Sequence, residues 1–418
     1  KQTCQLMGYT KVASLQFAPG HGSFEGKEPA QCRKVALPAP VEDLSIFDHD
    51  RSWLLGATGH VWESTLLGVR GSWANRSHRN SLILVDSEER EVAFLRVVKQ
   101  LSPPLPYSTD DHVFHGVFYS NSSRRLYAVT HHTAYSSVEV FQVHEDDPEK
   151  GFHDSLFLEH LHTVRSPEFQ RMALNDVVEA AFDGSSFFVS EWLDHDNAAG
   201  HRAFSFTENL AHSAKIALKQ RKTRLLKCVL QGSRDDGSQW SCSEATADRF
   251  VLTNGLAITP DRRFLFVSDP ASTEVVIYRV DGASLTKVQA LSLTHSVDNL
   301  EVVASWPTKD EVVLHGGSIP LPFATGVGCE GGFGMNWPIK DTEGHSSFIG
   351  CGKCPGGLLE LKVKGLYAQS KQSGVEVQMQ DLVLHDGSLL NQVSCAIGLD
   401  GRAVIGSPEA SGLLLCDW

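Results

Sequence analysis

The sequence contains no apolar run long enough to cross a bilayer, so we do not expect a transmembrane segment. It also has too little positive charge to bind nucleic acid or an anionic membrane. It has 37 lysines and arginines against 50 aspartates and glutamates, a net charge of −13, whereas both partners require a concentrated positive field. No linker rich in proline, glycine and serine divides the 418 residues. We therefore expect a single domain over residues 1–418.

The cysteines lack the patterns of zinc ribbons and redox proteins. Cys351 and Cys354 form a Cys-x-x-Cys pair, but no second pair accompanies it and the strand-to-helix context of a thioredoxin fold is missing. Structural disulfides are the plainer interpretation. Nine cysteines, together with glycosylation sequons at Asn75 and Asn121, fit a protein that is secreted or resides in the secretory-pathway lumen.

What the sequence does contain is a clear strand unit at residues 253–280, TNGLAITPDRRFLFVSDPASTEVVIYRV. Leu256 and Ile258 alternate with other residues at the period of two that a pleated strand requires, and a Pro-Asp pair follows as a turn. Two further apolar strands complete the unit. An oxygen-bearing side chain, that of Asn254, stands just before the first strand.

The same layout recurs along the chain. Six copies begin at Glu42-Asp43, His115-Gly116, Asn175-Asp176, Asn254-Gly255, Asp298-Asn299 and Ser394-Cys395. A polar residue at the start of the first strand, followed by two or three outward strands, is typical of a β-propeller blade whose innermost strand begins at the central channel. The pattern predicts an all-β, six-bladed β-propeller in which these polar residues meet at one mouth of the channel.

Three segments fall outside the blade pattern: an irregular N-terminal segment at residues 1–40, and two insertions at residues 194–249 and 316–357. A ring of blades closes where its first and last segments meet, and a Cys32–Cys416 disulfide would join them. Cys228 and Cys242 flank a polar turn and could staple a hairpin. With nine cysteines, one must remain unpaired within the chain, and Cys395 is the candidate.

The polar starts of the blades predict a calcium site. The set comprises five oxygen-bearing side chains, two of them carboxylates, and no thiolate or imidazole: Glu42, Asn175, Asn254, Asp298 and Asn299. Calcium takes about six to eight oxygen ligands at flexible geometry, whereas zinc favours histidine or cysteine. Asp43 and Asp176, one residue further along their strands, should point deeper into the channel, where a second calcium could bind. Any one of these residues could instead be an ordinary turn residue.

Two histidines stand beside this predicted site. His115 heads the inner strand of its blade and His131 lies on the next strand, so the two side chains could meet near the channel. One histidine can hold the tautomer of another and raise its basicity, as a general base for water requires. A lone histidine in a strand is more often structural. A pair at the metal mouth favours a catalytic base.

The segments that carry these residues resemble a known family. The similarity is densest in VEDLSI, FHGVFYS, LYAVTHHTAYSSVEVFQV, LNDVV, TNGLAITPD, SVDNLEV and LLLCDW. From about Cys32 to Trp418, the chain resembles the paraoxonase family, a group of calcium-dependent arylesterases and lactonases that fold as six-bladed propellers. The resemblance implies a catalytic calcium on the five residues named above and a base dyad of His115 with His131.

The resemblance implies further site residues. A structural calcium would lie on the side chains of Asp43 and Asp176 and the backbone carbonyl of Val117, so that two Ca²⁺ ions are expected in all. His315 matches a histidine of the substrate pocket. The ring-closing disulfide of the family matches Cys32–Cys416.

The implied activity is the hydrolysis of a small-molecule lactone or aryl ester. In a competing scheme within the family, Asp298 acts as the nucleophile and His115 is not the base. An alternative of a different class is a non-catalytic propeller that binds a ligand or a protein at the channel mouth and holds calcium only as a structural plug. The histidine pair favours the enzyme.

Two of the chain's departures from the family pattern concern its partners and its substrate. After Trp192, ENLAHSAKIALKQRKTRLLK predicts a helix with a basic face, where family members have aromatic, lipoprotein-facing residues. Association with lipoproteins or membranes is therefore doubtful. The insertion after His315 is rich in glycine and cysteine and replaces a short loop of the pocket, so the family's substrate preference does not transfer.

Overall fold

The computed structural model of the chain describes residues 21–24, 27–59, 81–98, 113–131, 136–145, 152, 155–169, 173–193, 214–216, 218–231, 240–282, 284–319, 338–340, 346–348, 356–367, 375–385, 389–390, 393–408 and 411–417. This part of the chain is nearly all strand. Six sheets of four or five strands follow one another as blades around a central channel. The predicted six-bladed β-propeller is confirmed.

The first three blades are built as follows. The chain opens with β1 (His21–Phe24) and β2 (Lys27–Val35), which belong to the last blade. Blade 1 consists of β3 (Val41–Asp48), β4 (Trp53–Thr58), β5 (Ser81–Asp86) and β6 (Glu91–Phe94). Blade 2 consists of β7 (Arg96–Val98), β8 (Val113–Ser120), β9 (Arg125–His131), β10 (Ser136–Glu145) and β11 (Leu156–Val164). Blade 3 follows a 3-10 turn at Pro167–Phe169 and consists of β12 (Ala173–Glu179), β13 (Ser186–Leu193), β14 (Leu225–Leu230) and β15 (Trp240–Glu244).

The remaining blades complete the ring. Blade 4 consists of β16 (Leu256–Ile258), β17 (Phe264–Asp269), β18 (Glu274–Asp281) and β19 (Ser284–Ser292). Blade 5 contains β20 (Ser296–Trp306) and β21 (Glu311–Ile319), which a 3-10 turn at Pro307–Lys309 joins. A small hairpin, β22 (Pro338–Lys340) and β23 (Ser346–Phe348), precedes its outer strands β24 (Gly356–Lys364) and β25 (Glu376–His385). Blade 6 consists of β26 (Cys395–Leu399), β27 (Arg402–Gly406) and β28 (Leu413–Asp417), followed outward by β2 and β1.

The hydrophobic core lies between the faces of neighbouring blades. Tyr127 of blade 2 packs on Phe187 of blade 3 with ring centroids 5.8 Å apart, and both side chains are fully buried. Phe266 of blade 4 and Leu314 of blade 5 belong to one buried cluster in the same way. Each fully buried side chain of this size stabilises the fold by about 1.5–3 kcal/mol. Packing between blades therefore fixes where each inner strand begins.

The ring closes through strands that sequence analysis did not anticipate. β2 pairs antiparallel with β28, and the Cys32–Cys416 disulfide joins the two strands as predicted. The expectation that residues 1–40 are irregular is wrong for His21–Phe24 and Lys27–Val35, which form strands. Without β2, the backbone groups of β28 would form an open sheet edge, so pairing satisfies them.

The two predicted insertions are partly blade structure. Residues 194–249 include β14 and β15, and residues 316–357 include the end of β21 and the start of β24. The helix expected after Trp192 is reduced to a single described turn at residues 214–216, and its last residues form β14 instead. Leu225 and Leu226 are fully buried there, so tertiary packing overrides helix propensity.

The remaining cysteines and sequons are distributed as follows. Cys228–Cys242 joins β14 to β15 as predicted, and Cys395 is the free, buried cysteine of the described residues. Asn121 is exposed in the turn between β8 and β9. The other positions lie outside the described residues: Cys4, Cys329, Cys351, Cys354 and Asn75. Disulfides are compatible with an extracellular protein, and no helix in the described ranges has the length and apolar character to cross a membrane.

Loop length predicts a ranking of the two disulfides. Cys32 and Cys416 are 384 residues apart and Cys228 and Cys242 are 14 apart. The chain-entropy account assigns up to about 5 kcal/mol to closing a very long loop and about 3 kcal/mol to a short one. We expect the double variant Cys32→Ser/Cys416→Ser to lose more free energy of unfolding in urea than the control Cys228→Ser/Cys242→Ser. An equal or smaller loss would contradict the role of the first disulfide in closing the ring.

Candidate functional site

The innermost strands of the blades are β3, β8, β12, β16, β20 and β26. Residues at the starts of neighbouring inner strands contact one another. The Asn299 side-chain amide donates to the Glu42 backbone carbonyl at 2.9 Å and to Glu42 Oε2 at 3.2 Å, and the Asn299 backbone N–H donates to the Ser394 carbonyl at 2.9 Å. The inner strands of blades 1, 5 and 6 therefore begin at one end of the channel, which we call the anchor mouth. The contacts of Gly116, Gly255 and His115 described below place the starts of the other three strands there as well.

Two glycines allow the starts of the strands to approach this closely. A Cβ added to Gly116 would lie 2.4 Å from the backbone oxygen of Asn175, and one added to Gly255 would lie 2.5 Å from that of Asp298. Real Cβ atoms do not approach backbone so closely. Each glycine thus lets one blade present its polar residue directly beside that of the next.

The predicted histidine pair is present and buried at the anchor mouth. His115 Nδ1 lies 2.9 Å from His131 Nε2, and His131 Nδ1 lies 3.0 Å from Ser136 Oγ. The other ring nitrogen of His115, Nε2, is 3.1 Å from Glu42 Oε1 and 3.2 Å from Asn175 Nδ2. One nitrogen of His115 is therefore held by its partner, and the other faces the predicted calcium ligands.

The surroundings of His115 keep it neutral. Burial lowers the pKa of His115 to about 3, against a hydrogen bond to the Leu174 backbone that raises it. The ring of Trp192 stands edge-on to His115 with centroids 5.9 Å apart, and Trp192 forms an apolar cluster with Leu252 and Ile216. At neutral pH, His115 is thus an unprotonated imidazole between an apolar wall and the polar ligands. Sequence analysis did not identify this wall, because its residues come from separate parts of the chain.

Four of the five predicted calcium ligands have a buried oxygen that accepts no hydrogen bond from the described part of the chain: Asn175 Oδ1, Asn254 Oδ1, Asp298 Oδ1 and Asn299 Oδ1. Leaving such an oxygen unsatisfied costs about 1–3 kcal/mol, so these four oxygens are suited to a positively charged ligand. Carboxylate and carboxamide oxygens are ligands that calcium prefers. The residues therefore fit a calcium ion. Clusters of three or more His, Cys, Asp or Glu side chains with metal-binding geometry do not occur among the described residues, and three of the five candidate ligands here are carboxamides.

The buried negative charge at the anchor mouth also fits a calcium ion. Burial raises the pKa of Glu42 to about 8, although a hydrogen bond from Asn299 lowers it in part. Burial first, and then the nearby negative charge of Glu42, raise the pKa of Asp298 well above its ordinary value. Two carboxylates that are buried together destabilise each other's charged form. A divalent cation would offset both charges.

The deeper pair, Asp43 and Asp176, also meets near Val117, but its oxygens are already hydrogen-bonded. The Val117 N–H donates to Asp43 Oδ2 at 2.8 Å, and the N–H groups of Leu256 and Val177 each donate to Asp176 at 2.6 Å. Burial first, and then neighbouring carboxylates, raise the pKa of both aspartates well above the ordinary value. A second calcium would bind through the remaining lone pairs of these oxygens. It stays a prediction.

The predicted pocket residue His315 lies elsewhere. It is buried in β21 between blades 5 and 6, where the Gly398 N–H donates to its Nδ1 at 2.9 Å. Its Nε2 lies 3.6 Å from Glu360 Oε2. These contacts are with β26 and β24 and not with the predicted calcium ligands, so the pocket role of His315 stays a prediction.

Comparisons with known proteins add no assignment of function. No family model matches the chain, and no curated protein matches it. Similar solved structures include a luciferin-regenerating enzyme (11% identity, 93% of this chain and 95% of that chain, TM-score 0.43), a gluconolactonase from Xanthomonas campestris (14% identity, 96% and 94%, TM-score 0.42) and the periplasmic gluconolactonase of Pseudomonas aeruginosa (12% identity, 84% and 86%, TM-score 0.39). At these values the likeness carries no argument about activity, and the fold assignment follows from the strand topology itself.

The close approach at Gly116 predicts a large effect of a single methyl group. In Gly116→Ala, the new Cβ would meet the backbone of blade 3 at 2.4 Å, and relieving this clash should cost about 1–3 kcal/mol or more. The control is Gly282→Ala, where φ is +61° and no atom lies within 4 Å of an added Cβ, so only left-handed strain of about 1–2 kcal/mol applies. We expect the lower Tm for Gly116→Ala. Equal melting of the two variants would mean that the blades can separate freely at this point.

Proposed function

We propose that the chain is a calcium-dependent hydrolase that opens lactones, with aryl esters as a second class of substrate. The observation that carries the proposal is the group of four buried oxygens without hydrogen-bond partners in the described residues, beside a buried histidine pair. Oxygens of this kind fit a hard cation. A neutral imidazole next to them supplies the base that hydrolysis needs.

The ligands of the catalytic calcium would be the five side chains Glu42, Asn175, Asn254, Asp298 and Asn299. A structural calcium would lie on Asp43, Asp176 and the Val117 carbonyl. When bound, the catalytic calcium supplies Lewis acidity that polarises the ester carbonyl. The carboxamides of Asn175 and Asn254 also bring N–H donors to the place where negative charge develops on the carbonyl oxygen.

His115 is the proposed base. In the productive tautomer, His115 Nδ1–H donates to His131 Nε2 and His131 Nδ1–H donates to Ser136 Oγ, at the distances observed. In this tautomer the lone pair of His115 Nε2 points toward the anchor mouth, where it accepts a hydrogen bond from Asn175 Nδ2 at 3.2 Å that the attacking water would displace. Nε2 takes a proton from water as the water oxygen bonds to the carbonyl carbon. The same proton then passes to the leaving alkoxide as the ester C–O bond breaks, so that a lactone opens to a hydroxy acid.

Removal of calcium should affect stability and activity together. A ligand that binds only the native state stabilises it, and the ligands of both proposed ions come from different blades. We expect a chelator to lower the Tm and to abolish hydrolysis across a panel of lactones and aryl esters. Added calcium should restore both properties. Magnesium should not, because it requires a smaller octahedral site.

Two outcomes would count against the proposal. An unchanged Tm and unchanged turnover in the presence of chelator would show that the buried oxygens do not bind calcium. Calcium-dependent melting without turnover of any ester or lactone would favour the alternative of a non-catalytic propeller that binds a ligand or a protein at the anchor mouth.

Substitutions should separate the metal from the base. Asp298→Asn removes one of the two negative charges at the proposed calcium, so it should weaken calcium binding and slow the hydrolysis of all substrates in parallel. His115→Gln leaves the carboxylates in place. It should therefore retain calcium affinity, while lactone hydrolysis falls by about 10²–10⁴-fold, as expected for the loss of a general base. Aryl esters with good leaving groups should lose less.

The decisive quantity is the ratio of lactonase to arylesterase activity at saturating calcium. The matched control is His144→Gln, which removes a half-exposed histidine of the same blade that pairs with Glu159, and its ratio should equal that of the wild type. If His115→Gln hydrolyses lactones at the wild-type rate, the dyad is structural and Asp298 becomes the leading candidate for the nucleophile.

A further inference from the structure

A second polar cluster lies at the end of the channel opposite the anchor mouth, which we call the far end. The inner strands β8 and β12 end there, at Ser120 and Glu179. Glu179 is fully buried, and four hydroxyl groups donate to its carboxylate: those of Ser120, Ser122, Ser123 and Tyr127. All four donors belong to blade 2. The carboxylate therefore ties the end of the blade 3 strand to blade 2.

Arg262 brings a third blade into this cluster. It lies in the turn after β16 of blade 4, and its Nη2 is 3.0 Å from Ser120 Oγ and 3.2 Å from Glu179 Oε1. The rings of Phe118 and Phe182 flank the guanidinium at 5.4 and 5.6 Å. Only 11% of the Arg262 side chain is exposed. One side chain thus joins the far ends of three neighbouring inner strands.

The backbone at Arg262 is in a conformation that favours glycine. Its φ is +59°, in the left-handed region. The turn is fixed by a hydrogen bond from the Arg262 N–H to the Thr259 carbonyl at 2.8 Å and by Asp261 Oδ1, which accepts from the Arg263 N–H at 3.1 Å. Such a conformation persists where the surrounding structure fixes it. The contacts of the guanidinium and the two hydrogen bonds of the turn fix Arg262 in this way.

The positive charge of Arg262 also acts on a carboxylate of blade 5, that of Glu301. Glu301, on β20, accepts hydrogen bonds from the Ile46 N–H at 3.2 Å and from Ser45 Oγ at 3.3 Å, both in blade 1. Burial raises the pKa of Glu301 to about 7, whereas these hydrogen bonds and the positive charge of Arg262 lower it. Arg262 thus joins the inner strands of blades 2, 3 and 4, and Glu301 joins those of blades 1 and 5.

These five blades also carry the proposed base and all the proposed ligands of the catalytic calcium: Glu42 in blade 1, His115 in blade 2, Asn175 in blade 3, Asn254 in blade 4, and Asp298 and Asn299 in blade 5. The backbone of an inner strand is extended and is hydrogen-bonded to the next strand of its blade. A displacement at one end of the strand is therefore transmitted to the other end. Glu179 lies four residues after Asn175 on β12, about 13 Å along the strand.

We propose that Arg262 is a positioning residue, which sets the spacing of the calcium ligands at the anchor mouth by tying together the far ends of the strands that carry them. This inference rests on the proposed function. A positioning role differs from a purely structural role in its effect on calcium affinity. A purely structural role would alter the melting of the metal-free protein alone, whereas a positioning role alters calcium affinity in a protein that is still folded.

The test is the calcium Kd of the full chain, measured by isothermal titration calorimetry after chelator treatment, with the Tm of the metal-free protein recorded in parallel. Arg262→Met removes the guanidinium. Arg262→Gly removes it and also relieves the left-handed backbone, so any loss of affinity in that variant cannot come from turn strain. We expect both variants to bind calcium about 10–100-fold more weakly, the range seen when residues that orient metal ligands are lost.

The matched control is Arg263→Met. Arg263 is the next residue, is exposed, and stacks on Tyr367 at 5.1 Å instead of entering the channel. Its calcium Kd should equal that of the wild type. Glu179→Gln provides a second variant that does not change the turn, and it should weaken binding in the same direction, because the Arg262 side chain loses its anionic partner.

The possible outcomes separate the positioning role from the proposed function. Wild-type affinity in folded Arg262→Gly and Glu179→Gln overturns the inference, even if Arg262→Met fails to fold. An equal loss in Arg263→Met also overturns it, because the effect would then belong to the turn as a whole. If the wild type binds no calcium, the proposed function fails and this inference fails with it. A wild type that binds calcium, beside Arg262 variants that bind it equally well, overturns the positioning role alone.

Discussion

The structure depends on one constraint, the meeting of six polar strand starts inside an apolar ring. Packing between the blades stabilises the propeller and at the same time forces these residues into a small buried space. Glu42 and Asp298 therefore resist ionisation together, and the amide oxygens of Asn175, Asn254 and Asn299 lack partners in the described protein. A fold that keeps such groups accepts a cost in stability. The cation that we propose would offset this cost, because a ligand that binds only the native state stabilises it.

The two ends of the channel differ in how their buried polar groups are stabilised. At the far end, hydroxyl groups and Arg262 donate to the buried carboxylate of Glu179, so this carboxylate is satisfied within the protein. At the anchor mouth, four buried oxygens accept no hydrogen bond from the described residues, and His115 is neutral because burial lowers its pKa. In the proposed function, the anchor mouth binds the metal and the substrate, and the contacts at the far end position the strands.

Much of the fold and part of the site could be predicted from local pattern. The strand period of two and the recurring polar starts identified all six inner strands, and the placement of His115 and His131 on adjacent strands was sufficient to predict their contact. β2 was missed because its sequence, KEPAQCRKV, contains a proline and few apolar residues, and its stability comes from pairing with β28, far along the chain. The proposed role of Arg262 was missed because it depends on contacts with two other blades, which no local pattern encodes. β14 was taken for helix because its basic, leucine-containing segment has good helix propensity, which burial overrides.

The central claim is that the anchor mouth binds calcium, and the most direct test is a crystal structure of the chain grown with calcium and again with terbium for its anomalous signal. We predict an anomalous peak at the anchor mouth about 2.3–2.6 Å from the side-chain oxygens of Glu42, Asn175, Asn254, Asp298 and Asn299. The account would be contradicted by an anchor mouth without metal at saturating calcium, or by those oxygens hydrogen-bonding to protein groups or water instead.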